Sequence, residues 1–335
     1  MAMVSTFAFT APACFFLEAA LTPDSGRIFL VTGVLTIVTV PFIYWRLDND
    51  ISSARFLTAE ERAQALERLR ANQTGAGTRE LNWSQVVEMF LDIKSYLFGA
   101  ITFAIVLGAQ MPATFGPLIL KSFGFDKYMT TLLSIPFGAF QCFIILTAAW
   151  ATARMRWKSP ALLVMLVFVL AGLVLLYTLP RSHAYLPGLL VGYYFLAFNF
   201  SCINLTVSWI LANTAGQTKK STMMALFNAA SGTGAIVGPL LFNAADAPEY
   251  RSGLRSTMGV FVALFVVVLL QVGNLILLNK SQVRWRIMNG KPGYIHDHSM
   301  EGKYVDMSKE NTGTIGDQAF ADLTDRQNDE FVYVY

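Results

Sequence analysis

Six long apolar segments, separated by short polar turns, make up the chain between residues 96 and 279. They cover about residues 96–118, 129–150, 160–179, 185–212, 220–243 and 256–279. A helix needs about 20 apolar residues to cross the hydrocarbon core of a bilayer, and each segment reaches that length. In lipid, the backbone must satisfy its own hydrogen bonds, so single apolar segments of this kind cross the membrane as helices. The short turns then make successive helices antiparallel neighbours.

A seventh apolar segment, residues 26–45, ends at Tyr44, Trp45 and Arg46, which are residue types typical of a membrane interface. Residues 1–25 form a poorly defined apolar segment, and whether they span the membrane stays open. The whole chain is only 14% charged, whereas soluble domains contain about 25% charged residues. The sequence therefore predicts an all-α membrane protein.

Two polar regions flank the six segments. Residues 46–95 hold seven Lys or Arg and eight Asp or Glu, which indicates a solvated connector with surface helices. Within it, Thr58 and Glu61 form a capping-box pattern at the start of a helix, and residues 83–96 have the amphipathic pattern of a helix lying on the membrane surface. Residues 280–335 are polar without sustained periodicity and are predicted to form a mostly disordered tail.

The basic residues are distributed unequally between the two predicted sides. If the connector is cytoplasmic, nineteen of the 25 Lys and Arg residues lie on that side and six on the other. Cytoplasmic loops carry the excess of basic residues in membrane proteins. We therefore expect the connector and the C-terminus to be cytoplasmic.

Acidic residues are nearly absent from the six segments. Between residues 96 and 279 they are only Asp126, Asp246 and Glu249, all in predicted loops. A membrane-embedded hydrolase or transferase needs a carboxylate, histidine or metal cluster, so we predict no enzyme, no catalytic residue, no metal and no cofactor. The small net charge of +3 gives no indication of nucleic-acid binding.

Neutral polar residues are concentrated between residues 198 and 242. At 100° per residue, one helix presents Asn199, Thr206 and Asn213 on one face and Ser201, Asn204 and Ser208 on roughly the opposite face. One face could line a cavity while the other meets a neighbouring helix. The alternative for each amide is interhelical hydrogen bonding, worth about 0.6 kcal/mol on average.

The next helix combines polar and small residues. Asn228 and Ser231 share one face, and Ala230, Gly234 and Gly238 repeat at every fourth position. Such a repeat is typical of a seam where two helices pack closely.

Gln110 precedes Pro112, Gly116 and Pro117, a pattern that predicts a broken or bent helix. Interrupted membrane helices leave backbone groups free, and these are tolerated where they face protein or a water-filled cavity. Gln110 is therefore a further candidate for a cavity lining.

Several short motifs resemble those of one transporter family. They are Trp45-Arg-Leu with residues 54–61 (ARFLTAEE), residues 70–75 (RANQTG), 117–125 (PLILKSFGF), 213–220 (NTAGQTKK), 238–242 (GPLLF), 247–250 (APEY), 320–328 (FADLTDRQN) and 331–335 (FVYVY). These look like fungal allantoate permease-type transporters, in the anion:cation symporter branch of the major facilitator superfamily. The resemblance covers residues 26–335 and says little about the substrate.

The resemblance implies the C-terminal six-helix half of a major facilitator fold (96–279) plus one preceding transmembrane helix (26–45). It implies a plasma-membrane permease for a small organic anion such as allantoate, ureidosuccinate or a vitamin acid, with protons as the coupling ion at a site outside this chain. The candidate substrate-binding residues are then Gln110, Asn199, Asn204, Asn228 and Ser231.

About five N-terminal helices of the family pattern have no counterpart in this sequence. From the resemblance, we therefore expect this chain to be an incomplete fragment of such a transporter, one that can be inactive on its own. The alternative is a seven-helix membrane receptor or scaffold that transports nothing.

Overall fold

The computed structural model describes most of the chain and is helical, without strands, in the part described. The described residues are 26–46, 54–62, 81–116, 120, 123–155, 157–180, 182–242, 246, 250–293 and 322–335. The expectation for residues 1–25 lies outside them. The chain divides into two compact units, Met1–Arg68 and Leu69–Tyr335.

The first unit contains helix α1, Gly26–Arg46, with Pro41 inside it. Further along, the capping box forms: the Thr58 amide donates to the Glu61 carboxylate at 2.9 Å, and the Glu61 amide donates to Thr58 Oγ1 at 3.3 Å. The side chain of Arg62 then donates to the Ala54 carbonyl at 2.7 Å. Local polar pairing therefore fixes the helix start that the sequence indicates.

The second unit contains the membrane helices. Its elements are α2 (Trp83–Leu91), α3 (Ile93–Gln110), α4 (Lys127–Met155), α5 (Ser159–Thr178), α6 (Leu186–Phe195), α7 (Phe198–Ala212), α8 (Gln217–Leu240) and α9 (Arg251–Met288). Six helical stretches of the described chain are long and apolar enough to cross a membrane, with α6 and α7 together forming one of them. Each corresponds to one predicted segment, and the predicted all-α membrane class is confirmed.

Two spans are irregular. The α3 span continues as a π-helix over Met111–Phe115, where Pro112 lacks the amide hydrogen needed for the regular pattern. The second irregularity separates α6 from α7, where the amides of Leu196 and Ala197 donate to carbonyls three residues earlier. The sequence indicates the first break through its prolines, but neither Pro nor Gly marks the second.

Helix α3 lies at the centre of the second unit and packs against α7, α8 and α9. The contact with α8 is close because of two glycines. A Cβ atom built on Gly234 would lie 2.7 Å from the Phe103 carbonyl oxygen, and one on Gly238 would lie 2.7 Å from Gln110 Cβ. Larger residues there would push the two helices apart, while Ala230 of the same repeat is half-buried.

The second unit buries polar residues and exposes apolar ones. Large apolar side chains face outward along α4, among them Leu132, Ile135, Phe143, Leu146 and Trp150. Between the helices, Asn199, Thr206 and Asn213 are at most 1% exposed. Water-soluble proteins rarely expose such extended apolar surface, so this surface is suited to lipid.

The end of the chain differs from the prediction of a mostly disordered tail over residues 280–335. Helix α9 continues to Met288, and residues 322–335 pack against the second unit, with Phe331 and Tyr333 buried. Helical periodicity cannot detect such a segment, because side chains of the bundle hold it in a non-helical conformation. The prediction for residues 294–321 lies outside the described chain.

Candidate functional site

Four of the five predicted lining residues lie on exposed or half-buried surface. Asn204 of α7 and Asn228 of α8 are exposed, and each amide nitrogen donates to a carbonyl of its own helix, at 3.4 and 2.8 Å. Ser231 and Gln110 are half-buried. Each exposed amide therefore has one donor satisfied within its own helix, and Ser208 of α7 and Thr233 of α8 are exposed as well.

Asn199 occupies a different environment. Its side chain is 1% exposed and its Nδ2 donates to the Ile105 carbonyl of α3 at 2.9 Å. Its Oδ1 is buried and has no hydrogen-bond partner in the described part of the chain. Asn199 thus lies between α7 and α3, and no hydrogen bond among the described residues joins any two of the five candidates.

A second polar centre lies at the end of the bundle where α2 meets α3. Six charged side chains gather there and are called the ionic cluster: Glu88, Asp92, Lys94, Lys219, Asp325 and Arg326. Asp325 forms ion pairs with both lysines, its Oδ2 at 2.5 Å from Lys94 Nζ and its Oδ1 at 2.8 Å from Lys219 Nζ. These three side chains are at most 1% exposed.

Bundle carboxylates complete the cluster. Lys219 Nζ lies 2.9 Å from Glu88 Oε1 and 3.4 Å from Asp92 Oδ2. Arg326, which is partly exposed, reaches Asp92 Oδ1 at 3.1 Å. The six side chains therefore form one continuous network of ion pairs.

Two turns bring the cluster together. Asp92 separates α2 from α3 and caps α3, accepting from the Lys94 amide at 3.2 Å. At the start of α8, Gly216 has φ +86°, a left-handed conformation that suits glycine. A Cβ atom there would lie 2.7 Å from Gln85 Oε1, which accepts from the Lys219 amide at 3.1 Å. The turn thereby fixes Lys219 against α2.

The tail groups have strongly shifted pKa values. Burial raises the pKa of Asp325, but the ammonium groups of Lys94 and Lys219 outweigh it and hold that pKa well below its usual range. Burial and the Asp325 carboxylate raise the pKa of Tyr333 far above its usual range. At neutral pH the ionised Asp325 therefore accepts a hydrogen bond from the neutral Tyr333 hydroxyl, at 2.8 Å.

Two asparagines hold the backbone of the tail. Asn279 of α9 donates to the Tyr333 carbonyl at 2.8 Å and accepts from the Tyr333 amide at 2.9 Å. Asn213, which follows α7, does the same for Val334, with both bonds at 2.9 Å. Trp209 adds a third bond, from its indole nitrogen to the Val334 carbonyl at 2.9 Å.

Ion pairs also hold the middle of the tail. Lys291 Nζ lies 2.8 Å from Asp329 Oδ1 and 3.0 Å from Glu330 Oε1. Burial lowers the pKa of Lys291, but hydrogen bonds to these carboxylates outweigh it and raise the pKa above its usual value. The start of the tail is held by Asp322, whose Oδ1 accepts from the Gln217 amide at 2.7 Å.

Sequence reasoning missed this centre. The pattern placed Asn213 on one face with Asn199, yet Asn213 binds the tail. In the sequence, Lys94 and Lys219 are indistinguishable from other basic residues that flank apolar segments. One signal was present, because the motifs 213–220 and 320–328 both support the family resemblance and contact each other in the structure.

Residues 1–239 match the profile described as the Major Facilitator Superfamily. The MFS-type transporter cnsL of Penicillium expansum is 38% identical, over 72% of this chain and 50% of that protein. In Saccharomyces cerevisiae, a thiamine pathway transporter is 31% identical over 92% of this chain and 54% of its own length. The allantoate permease of that yeast is 28% identical, with 91% and 54% covered. This chain thus spans about half the length of these relatives, and no solved structure matches it.

Proposed function

The chain belongs to the major facilitator superfamily, and on that premise we propose that it forms part of a permease for a small organic anion. Its six apolar helices make it an integral, multi-pass membrane protein. Family membership and the transporter names of its relatives confirm the prediction that it is not an enzyme, and they do not favour the receptor alternative.

The observation that supports the proposal best is a pair of exposed amides within two of the spans. Asn204 and Asn228 stand on α7 and α8, both of which pack against α3. Polar groups facing lipid are costly, so polar side chains within spans usually face a bundle interior or a water-filled path. We propose that this surface, with Ser231, Gln110 and Asn199, forms one wall of the substrate path.

The substrate class follows from chemistry and from two relatives. Amides and hydroxyls can orient a carboxylate without placing a fixed charge in the membrane. One relative is named an allantoate permease and another a thiamine pathway transporter. We propose a small carboxylate such as allantoate, ureidosuccinate or a vitamin acid, with protons as the coupling ion.

The proposed arrangement places the chain as the C-terminal half of the transporter in the plasma membrane. The distribution of basic residues favours a cytoplasmic connector and tail. The ionic cluster then lies at the cytoplasmic end, and the substrate site lies nearer the midplane, as is usual in such transporters.

An uptake assay tests the proposal. The chain alone, and the chain joined to the part of the Saccharomyces allantoate permease that it does not match, are expressed in yeast lacking that permease. Radiolabelled allantoate, ureidosuccinate and vitamin acids are then supplied at pH 5 and pH 7. We expect the joined protein to take up at least one acid, faster at pH 5. Absence of uptake of every acid by well-expressed protein would contradict the organic-anion proposal.

A further inference from the structure

Residues 322–335, called the tail peptide, lie on a surface made by α2, α3, α7, α8 and α9. That surface, called the socket, is defined by Glu88, Asp92, Lys94, Asn213, Lys219, Asn279 and Lys291. Outside the socket the tail peptide is joined to the bundle through residues 294–321. The contact therefore brings together parts of the chain as far apart as Lys94 and Asp325, which are separated by 231 positions.

The socket recognises the peptide backbone from two sides. Asn279 forms two hydrogen bonds with Tyr333, and Asn213 forms two with the next residue, Val334. Successive residues of an extended chain point to opposite sides, so two amides on different helices can bind neighbouring residues. Main-chain bonds of this kind are the usual source of affinity for extended peptides.

The socket also recognises particular side chains. The Asp325 carboxylate is bound between two ammonium groups. The Tyr333 ring packs edge-on against Phe331, with centroids 5.0 Å apart, and Lys94 Nζ lies 4.9 Å from the Tyr333 ring centroid. All three peptide side chains are buried. A peptide with an acidic residue followed at this spacing by aromatic residues is therefore the ligand that fits.

Charge balance within the ionic cluster permits release of the peptide. When the peptide is removed, Lys94 and Lys219 still have Asp92 and Glu88 as partners. On the peptide, Asp325 is followed by Arg326, so the two contributed charges also cancel. Separation therefore leaves no net charge on the ionic-cluster residues of either side, so no isolated buried charge remains there.

Long-range charge favours return of the peptide. Residues 322–335 contain Asp322, Asp325, Asp329 and Glu330 against Arg326, a net charge of −3 (four negative, one positive). Because the tail peptide is covalently part of the chain, its local concentration near the socket exceeds that of a free peptide, so rebinding is fast compared with capture of a free peptide.

We propose that the socket is a peptide-binding site and that residues 322–335 are its exchangeable, tethered ligand, not a permanent part of the bundle. The proposal is independent of transport. It predicts that the socket binds the same peptide in trans and that Asp325 is the principal determinant of recognition.

The experiment begins with the complete chain, so that folding precedes any change. A protease recognition sequence is inserted between residues 305 and 306, the protein is purified in detergent, and the site is cut. Excess fluorescent synthetic peptide of residues 322–335 is then added, and its binding is followed by anisotropy and gel filtration. We expect the labelled peptide to replace the severed segment while the protein stays folded and monodisperse, and the uncut chain to bind it far more slowly.

Two altered peptides test recognition. The D325N peptide should bind at least tenfold more weakly than the natural one. The D329N peptide has the same net charge as the D325N peptide. Asp329, however, pairs with Lys291, which is 18% exposed, so binding of the D329N peptide should fall less. Equal weakening would mean that only net charge matters and would overturn the assignment to Asp325. If the labelled peptide replaces the severed segment only when the bundle unfolds, residues 322–335 are a permanent part of the fold, and the proposal is overturned.

Discussion

At the level of Asn199 and Thr206, the polar groups buried between helices are neutral and bind carbonyls within the membrane layer. At the end of the same bundle, Lys94, Lys219 and Asp325 are buried to a similar degree but are ionisable and form ion pairs. In the middle, Asn199 donates to a carbonyl of α3 and Thr206 to a carbonyl of its own helix. At the end, every charge has at least one opposite partner.

The difference shows how far each region can change. A charge at the centre of a span costs about 2.5 to 3.5 kcal/mol on the insertion scale, so the middle contains neutral amides and hydroxyls, whose replacement leaves no buried charge. The ionic cluster depends on its partners, because loss of one leaves a buried charge. We therefore expect the loss of a polar side chain to be tolerated better in the middle than the loss of a charged one at the end.

The largest effect should come from Lys219→Met. This change leaves Asp325, Asp92 and Glu88 with fewer cations, so the free energy of unfolding should fall by about 3 to 5 kcal/mol. Lys220→Met is the matched control, since the neighbouring Lys220 has no ion pair among the described residues. Denaturant titration in micelles measures both, and equal losses would remove the distinction between the two regions.

Gly234→Ala tests close packing within the membrane layer. The added Cβ would lie 2.7 Å from the Phe103 carbonyl oxygen, and relief of that overlap should cost about 1 to 3 kcal/mol. Gly232→Ala is the control, because nothing lies within 4 Å of its Cβ position. Its unfolding free energy should be unchanged or slightly higher, since Ala favours helix. A similar loss in both variants would contradict the α3 and α8 contact.

Asn213→Ala removes two hydrogen bonds between the bundle and Val334. It leaves the buried Val334 amide without its acceptor, which should cost about 1 to 3 kcal/mol. Asn204→Ala, on the exposed surface of α7, should change stability by less than about 0.5 kcal/mol. Thermal unfolding of the two variants in the same detergent decides the matter, and a larger loss for Asn204→Ala would reverse the comparison.

Docking of the tail should be insensitive to pH across the physiological range. Asp325 has a lowered folded pKa, so its contribution is complete above the ordinary carboxyl pKa of about 3.9 and is lost only as pH falls through the folded value. Lys291 has a raised folded pKa, so its contribution is complete below about 10.4 and is lost as pH rises through the folded value. Limited proteolysis measures release of the tail. Release between about pH 5 and pH 9 would contradict these directions of the pKa shifts.

Asn228→Ala should have the smallest effect on folding. Its amide is exposed and bonded only to the Met224 carbonyl of its own helix, so stability should change by less than about 0.5 kcal/mol. In the joined protein described above, uptake should nevertheless fall severalfold, while exposed Ile236→Ala on the same helix leaves it unchanged. Equal losses of surface expression and uptake would identify Asn228 as a packing residue.

The helices could be predicted from the sequence because hydrophobicity accumulates over about 20 residues and the bilayer sets that length. The π-helix after Gln110 could be anticipated, since Pro112 removes a backbone donor. The interruption at Leu196 and Ala197 could not, because tight backbone bonds form there without a special residue.

The ionic cluster could not be predicted from periodicity. Its members come from α2, α3, α8 and the tail, and each contributes one or two charges to a contact between distant parts of the chain. In the sequence, Lys94 and Lys219 look like ordinary basic residues at a membrane interface. Their contact with Asp325 is what shows that they belong to a buried ionic network. That contact is visible only in the tertiary structure.

The separation of Lys94 from Asp325 also has a consequence for biosynthesis. A ribosome adds about 5 to 20 residues each second, so the 231 positions between the two residues require roughly 10 to 50 s of translation. For that interval Lys94, and Lys219 once it is translated, has only Glu88 and Asp92 as carboxylate partners. The ionic cluster is thus completed only after all six spans have been synthesised.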